Sequence, residues 1–230
     1  MNNRLILLEN PLPDATDFQY IVDTLNGTRR RLHNNLTFAH ETLKFSYQFK
    51  LKGQMSRNAL YIKKQFAVRH AFSTVTPRIP ADAEIVARRA LHEMIDNTMA
   101  FLFSHAVDDG ESLTAPVFVS NTTNKMLRLL ESKGHDYASH GTNTLSNFIS
   151  AHEFAIWVTS PLQVFGSNIG NKLSRLLSLW VVGDQPKHET IFDSHVDFMN
   201  YCVLVDMYLH FYGFELPQEN IVENWIKEHL

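Results

Sequence analysis

The spacing of hydrophobic positions changes along the chain, and the changes divide it. Arg4–Glu9 (RLILLE) is short and apolar enough for a strand, which Pro11 and Pro13 end. Asp14 or Thr16 can cap a helix running to about Asn26, with Gly27 as its stop. From Thr28 to about Thr42, Leu32, Leu36, Ala39 and Leu43 fall at helical spacing. That helix would carry Arg29, Arg30 and Arg31 in its first turn, where cations oppose the helix dipole. A period of two follows. Phe45, Tyr47, Phe49 and Leu51 alternate with Lys44, Ser46, Gln48, Lys50 and Lys52, and alternation resumes from Leu60 to Phe72 with one break at Lys64. These runs predict a β-hairpin, roughly 44–52 with 59–74, whose polar face is basic; helix is the competing reading for both segments. Pro77 and Pro80 mark the strongest boundary.

Beyond that boundary the period is helical. Ile85, Leu91, Ile95, Met99, Leu102 and Phe103 lie on one side of a helix over 81–106, and Asp108–Gly110 ends it. Pro116–Ser120 reads as a short strand, and Asn121–Ser132 as a helix stopped by Gly134. A polar loop, His135–Asn143, leads to a helix over about 144–158. Asn168 or Asn171 opens another through Val182. His188–Tyr212 is long and apolar toward its end, and Pro217–Leu230 gives a last amphipathic turn and helix. The expected fold is α+β and predominantly α. A basic α/β portion with a β-hairpin (1–80) precedes a helical-bundle domain (81–230).

Composition narrows this. With 44% apolar and 20% charged residues in 230, the chain can bury a substantial core and is not of the disordered class. No apolar run reaches the length of a membrane span, the N-terminus lacks signal-peptide character, and the single cysteine, Cys202, fits a reducing compartment. A soluble cytoplasmic protein with no membrane partner is expected. The net charge of −3 conceals an asymmetry: residues 1–80 hold 12 basic and 5 acidic side chains, residues 81–230 hold 9 and 19. Within 28–78 Glu41 is the one acid among 11 basic residues.

The sharpest candidate chemistry is on the penultimate helix. Glu189, Asp193, Asp197 and Asn200 fall on one stripe less than about 90° wide, opposite Phe192, Phe198, Met199 and Val203. Carboxylates four apart repel by roughly a few tenths of a kcal/mol and call for a counter-charge, either a divalent cation such as Mg²⁺ or Mn²⁺ or basic side chains. A solvated acidic face near a helix N-terminus is the structural alternative. A second cluster joins His135, Asp136, Tyr137 and His140 to Asn147, His152 and Glu153, with spacings that match no zinc template. Lys172 and Arg175, three apart, can hold phosphate oxygens. An Arg-x(4–6)-His ribonuclease pairing is met by Arg128 and His135 alone, and it is set aside because Gly134 is expected to break that helix.

Taken in order, these groups resemble the nucleotide-modification-associated domains of phage-type proteins. The stretch 129–148, LLESKGHDYASHGTNTLSNF, resembles their KxxDYx…NF segment. Lys172, Arg175, Glu189, Asp193, Asp197, Asn200 and Tyr201 resemble their KxxRLxxL…ESxxDxxxDxxNY segment. The resemblance covers about 120–212. Those domains are similar to the all-α nucleoside-triphosphate pyrophosphohydrolases of the MazG and dimeric dUTPase group. This implies a Mg²⁺-dependent NTP or dNTP pyrophosphohydrolase-like protein, a homo-oligomer that binds a nucleotide. Glu189, Asp193 and Asp197 would then be catalytic and, with Glu93 and Asp96, would hold the metal. Lys172 and Arg175 would meet the phosphates. His135, Asp136, Tyr137, Asn147, Asn200 and Tyr201 would bind the remainder of the substrate. The chain departs from the pyrophosphohydrolase pattern in lacking a Glu-x-x-Glu helix in the bundle.

Two rivals remain. Arg29, Arg30, Arg31, Lys44, Lys50, Lys52, Arg57, Lys63, Lys64 and Arg69 interleave with aromatics, as in proteins that bind single-stranded RNA or DNA through phosphate neutralisation and stacking. Alternatively the chain is a structural subunit whose basic half docks on an acidic bundle.

Overall fold

The computed structural model describes residues 14–33, 35–36, 58, 61–65, 67–68, 82–110, 113–137, 144–145, 148–149, 151, 160–182 and 190–214; the side chains of 14–17, 108, 134–137 and 181–182 lie outside the description. Its elements are α1 (Asp14–His33), α2 (Ala83–Asp108), α3 (Ala115–Tyr137), α4 (Pro161–Leu177), a π-helical turn over Ser178–Val182, and α5 (Ile191–Tyr212). The described residues contain no strand, and the architecture is a helical bundle.

The bundle is organised around α5. Between Ser194 and Leu209 every residue except Asp197 and Tyr201 is buried, so this helix is apolar almost all round, as a core helix must be. It packs chiefly against α2 and α4, and also against α3 and α1. Its ends are cleanly set. Thr190 Oγ1 accepts from the Asp193 N–H at 3.0 Å, and Gly213, at φ 61°, supplies the left-handed backbone that stops the helix. Along α4, Pro161, Phe165, Ile169, Leu173 and Leu176 form a buried stripe of four- and three-residue steps. Pro161 occupies the first helical turn after extended Ser160, where its missing N–H costs nothing.

Five expectations are corrected. The second strand of the hairpin is absent, because 61–65 and 67–68 are helical. Tyr61, Ile62 and Gln65 are buried while Lys63 and Lys64 are exposed, a 3.6-residue pattern that the break at Lys64 already signals. Tyr61 stacks on Phe101, with ring centroids 4.0 Å apart, and Gln65 Nε2 donates to Thr98 Oγ1 at 2.6 Å, so this segment is pinned to α2. Strand 44–52 lies outside the described residues, as do Arg4–Glu9, Pro77, Pro80 and Pro217–Leu230. Gly27 does not stop a helix: α1 runs through it to His33, which puts Arg30 and Arg31 in the last turn, where the dipole favours them. Pro116–Ser120 is the first turn and a half of α3, its proline at a tolerated initiating position. Gly134 does not end α3, which continues to Tyr137, so Arg128 and His135 share one helix, contrary to the ground for setting them aside. The helix expected from Asn168 or Asn171 begins earlier, at Pro161.

One buried cluster runs through all of these elements, including Ile21, Leu25 and Leu32 of α1 and Tyr61 and Ile62 beside it. Among the described residues no helix is long and apolar enough to cross a membrane.

Candidate functional site

The N-terminal half of α5 is the floor of a groove between α3 and α4. Lys125 and Lys133, eight apart on α3, project on one side; Lys172 and Arg175, three apart on α4, project on the other. Asp197 stands between two of them: Lys133 Nζ meets its Oδ1 at 2.6 Å and Lys172 Nζ its Oδ2 at 2.9 Å. Asp193 pairs with Lys125 and accepts from Thr190 Oγ1 at 2.6 Å, while Lys125 Nζ also sits 4.7 Å above the Phe192 ring. Arg175 Nε donates to Ser194 Oγ at 3.0 Å. Three lysines thus converge on two carboxylates, with Arg175 on the neighbouring Ser194.

These contacts fix the carboxylates in their ionised form. Hydrogen bonds from Lys125 and Thr190 hold Asp193 below the usual carboxylate range. Burial alone would raise Asp197; the ammonium groups of Lys133 and Lys172 outweigh it and leave that carboxyl lowered too.

Beside Asp197 the groove opens into a cleft of about 300 Å³, lined by Leu130 and Lys133 of α3, Val164 and Asn168 of α4, Asn200, Tyr201 and Leu204 of α5, and Phe148. Phe148 stacks on Phe165 at 4.4 Å and meets Tyr201 edge-on at 6.1 Å, giving the cleft an aromatic wall. Asn200 Nδ2 donates to the Met126 carbonyl at 3.3 Å, whereas its buried Oδ1 has no partner.

Of the residues expected to form the site, Lys172, Arg175, Asp193, Asp197, Asn200 and Tyr201 come together. Glu93 and Asp96 do not join them. Glu93 pairs with Arg89 at 3.1 Å and Asp96 with Arg31 at 3.0 Å, and they line a separate groove with Arg31, Arg88 and His92 on α1 and α2. Glu189 and Asn147 lie outside the described residues. His135, Asp136 and Tyr137 belong to the last turn of α3, with side chains outside the description. The residues absent from the expectation are Lys125, Lys133, Ser194 and Phe148. No local pattern marks the first pair: Lys125 and Lys133 become partners of Asp193 and Asp197 only when α3 packs against α5.

The described carboxylates are engaged by cations of the chain itself. Among the described residues no group of three acidic, histidine or cysteine side chains converges as a ligand set.

The basic residues of 28–78 are partly spent inside the molecule. Arg29 donates to Thr123 Oγ1 and to Asn124 Oδ1, both at 2.6 Å, and Arg31 grips Asp96 through two nitrogens at 3.0 Å. Arg30, Lys63 and Lys64 are exposed. Lys44, Lys50, Lys52, Arg57 and Arg69 lie outside the described residues.

Comparison with protein-family models, with curated proteins and with solved structures finds no match to this chain.

Proposed function

We propose that the α3–α4–α5 groove binds a nucleotide, its phosphates on Lys133 and Lys172 and its base against the Phe148–Tyr201 wall. The observation that carries this reading is the convergence of two lysines, from different helices, on one carboxylate at the edge of an aromatic cleft. A phosphate is a stronger and more highly charged acceptor than a carboxylate. It can therefore displace Asp197 from the lysines without moving the helices that carry them. The unpartnered Oδ1 of Asn200 favours a ligand with an N–H to donate, which every nucleobase edge or exocyclic amine can supply.

Asp197 is a competitor for the lysines in this reading, not a metal ligand, and the two roles predict opposite results. Titration calorimetry with ADP, ATP and dNTPs should show saturable binding that Lys133→Met with Lys172→Met abolishes. Asp197→Asn should tighten the same binding. Loss of binding in Asp197→Asn, rescued by no nucleotide and present in wild type only with Mg²⁺, would sink this reading in favour of a metal-first site. The resemblance extends the proposal to phosphoanhydride hydrolysis, which the same samples test by release of phosphate and pyrophosphate.

A further inference from the structure

We infer that the base taken by this cleft carries an exocyclic amine, as adenine and cytosine do, and that Asn200 selects it. The inference rests on the nucleotide reading above and adds which bases the site accepts.

Helical period sets Asn200 beside the phosphate end. Asp197, Asn200, Tyr201 and Leu204 stand at i, i+3, i+4 and i+7 of α5, and all four line the cleft, so they form one face of it. Asn200 lies one turn beyond the carboxylate that engages Lys133 and Lys172, roughly 4.5 Å along the helix axis, and next to Tyr201. A base against the Phe148–Tyr201 wall, with its phosphates on the lysines, brings its polar edge to this residue.

The amide has one orientation. Its Nδ2 donates to the Met126 carbonyl of α3 at 3.3 Å, and the reverse orientation would set Oδ1 against that carbonyl oxygen. What Asn200 offers a ligand is therefore an acceptor. The residue is 5% exposed, and its Oδ1 is buried without a partner. An acceptor left unpaired in the interior carries a desolvation cost that an incoming N–H relieves.

Depth decides which N–H can do so. In uracil, thymine and hypoxanthine the ring N–H lies beside a carbonyl oxygen that projects farther than it does. That oxygen would meet Oδ1 as acceptor against acceptor. An exocyclic amine stands out from the ring edge and reaches a recessed oxygen first. Adenine and hypoxanthine are nearly the same size, as are cytosine and uracil, so Asn200 separates bases that the aromatic wall cannot.

The test compares ADP with IDP and CDP with UDP by calorimetry. Wild type should bind ADP and CDP roughly tenfold or more tightly than IDP and UDP, the scale of one buried polar group paired or left unpaired. Asn200→Leu, which removes the acceptor at similar volume, should bring both ratios to within about threefold of one. Asn200→Ala does the same should Asn200→Leu fail to fold. Near-equal affinities within each wild-type pair, with binding still dependent on Lys133 and Lys172, overturn the base selection and leave the nucleotide site standing. A wild-type preference that persists without the Asn200 amide overturns it as well, because the selection then lies elsewhere. Binding of none of the four ligands removes the nucleotide reading and this one together.

Discussion

The two halves of α5 handle aspartate in opposite ways. Near its N-terminus, Asp193 and Asp197 face a groove and are held by long, partly exposed lysines from other helices. Near its C-terminus, Asp206 is 1% exposed and closed on every side: Arg88 Nε at 2.9 Å, the Tyr20 hydroxyl at 2.6 Å and His92 Nε2 at 3.3 Å. Arg88 also donates to the Tyr20 oxygen at 2.9 Å, so α1, α2 and α5 are tied by one network. Burial would raise the Asp206 pKa; His92, Arg88 and Tyr20 together lower it. The same side chain is therefore a structural anchor at one end and an exchangeable partner at the other. What separates them is access: a ligand can take the place of Asp197 on its lysines, and nothing can reach Asp206.

The comparison breaks first at Asp206. Asp206→Ala removes the buried acceptor shared by Arg88 and the Tyr20 hydroxyl, although the part-exposed Arg88 keeps Glu84 at 3.5 Å, and it should cost about 3 kcal/mol. Urea unfolding monitored by circular dichroism measures it. Asp197→Ala, by contrast, should cost no more than about 1 kcal/mol, because its partners can return to water. Similar losses at the two positions would erase the distinction.

A second effect belongs to neither aspartate but to a histidine on the same helix, between Asp193 and Asp197. His195 is fully buried; burial, the largest influence, and neighbouring His105 push its pKa down to about 4, against the raising effect of its bond to the Ile191 carbonyl. Its Nε2 accepts from Trp180 Nε1 at 3.2 Å and its Nδ1 lies 2.8 Å from the Ile191 oxygen, so the ring is neutral with the proton on Nδ1. The folded value lies below the ordinary 6.5, so the unfolded chain takes up its proton first as pH falls. Stability should drain between about 6.5 and about 4, by about 3 kcal/mol in all. Asp206 and Asp197, with lowered pKa values, contribute stability that is present above the ordinary aspartate value and is lost below it as pH falls through their folded values. Urea titrations from pH 7 to 4.5 should show the first slope in wild type and a much flatter one in His195→Gln; an unchanged slope in the variant would assign it elsewhere.

How legible this was in the sequence differs along the same helix. The stripe of Asp193, Asp197 and Asn200 was readable because helical period alone puts them on one face. Their counter-ions were not, since Lys125 and Lys133 come from a helix more than 60 residues away and only packing brings them close. Asp206 had a local signal, one acid in the run CVLVDMYL, but its three partners are equally distant in sequence. Among the elements, α2 and α5 followed from apolar periodicity, and the bundle with them. The segment around 61–65 was misread because an alternating run and a 3.6-residue run share positions over so few residues, and burial of Tyr61, Ile62 and Gln65 against α2 decides between them. At Gly27 and Gly134 the surrounding helix outlasted a residue that only weakens it.

The comparison is sharpened most finely by the groove's own charge. Asp197→Asn should raise affinity for ADP by roughly three- to tenfold, since it removes the competitor for two lysines, and Lys172→Met should lower it by a similar factor. Both variants should unfold within about 1 kcal/mol of wild type, which separates binding from stability. Salt should weaken wild-type and Asp197→Asn binding alike, because the ligand's phosphates face partly open lysines.

The smallest effect tests where the basic arm spends its charge. Arg31 and Asp96 are about one-third exposed and bidentate at 3.0 Å, joining a basic residue of 1–80 to an acidic residue of 81–230 within one chain. The asymmetry between the two portions is thus partly neutralised inside the molecule. A double-mutant cycle with Arg31→Ala and Asp96→Ala should give a coupling of about 0.5 kcal/mol at low salt, shrinking toward zero near 1 M salt. A coupling several times larger would make this pair a second anchor like Asp206. A coupling of zero at every salt concentration would mean that Arg31 is held by packing and leaves its charge for another partner.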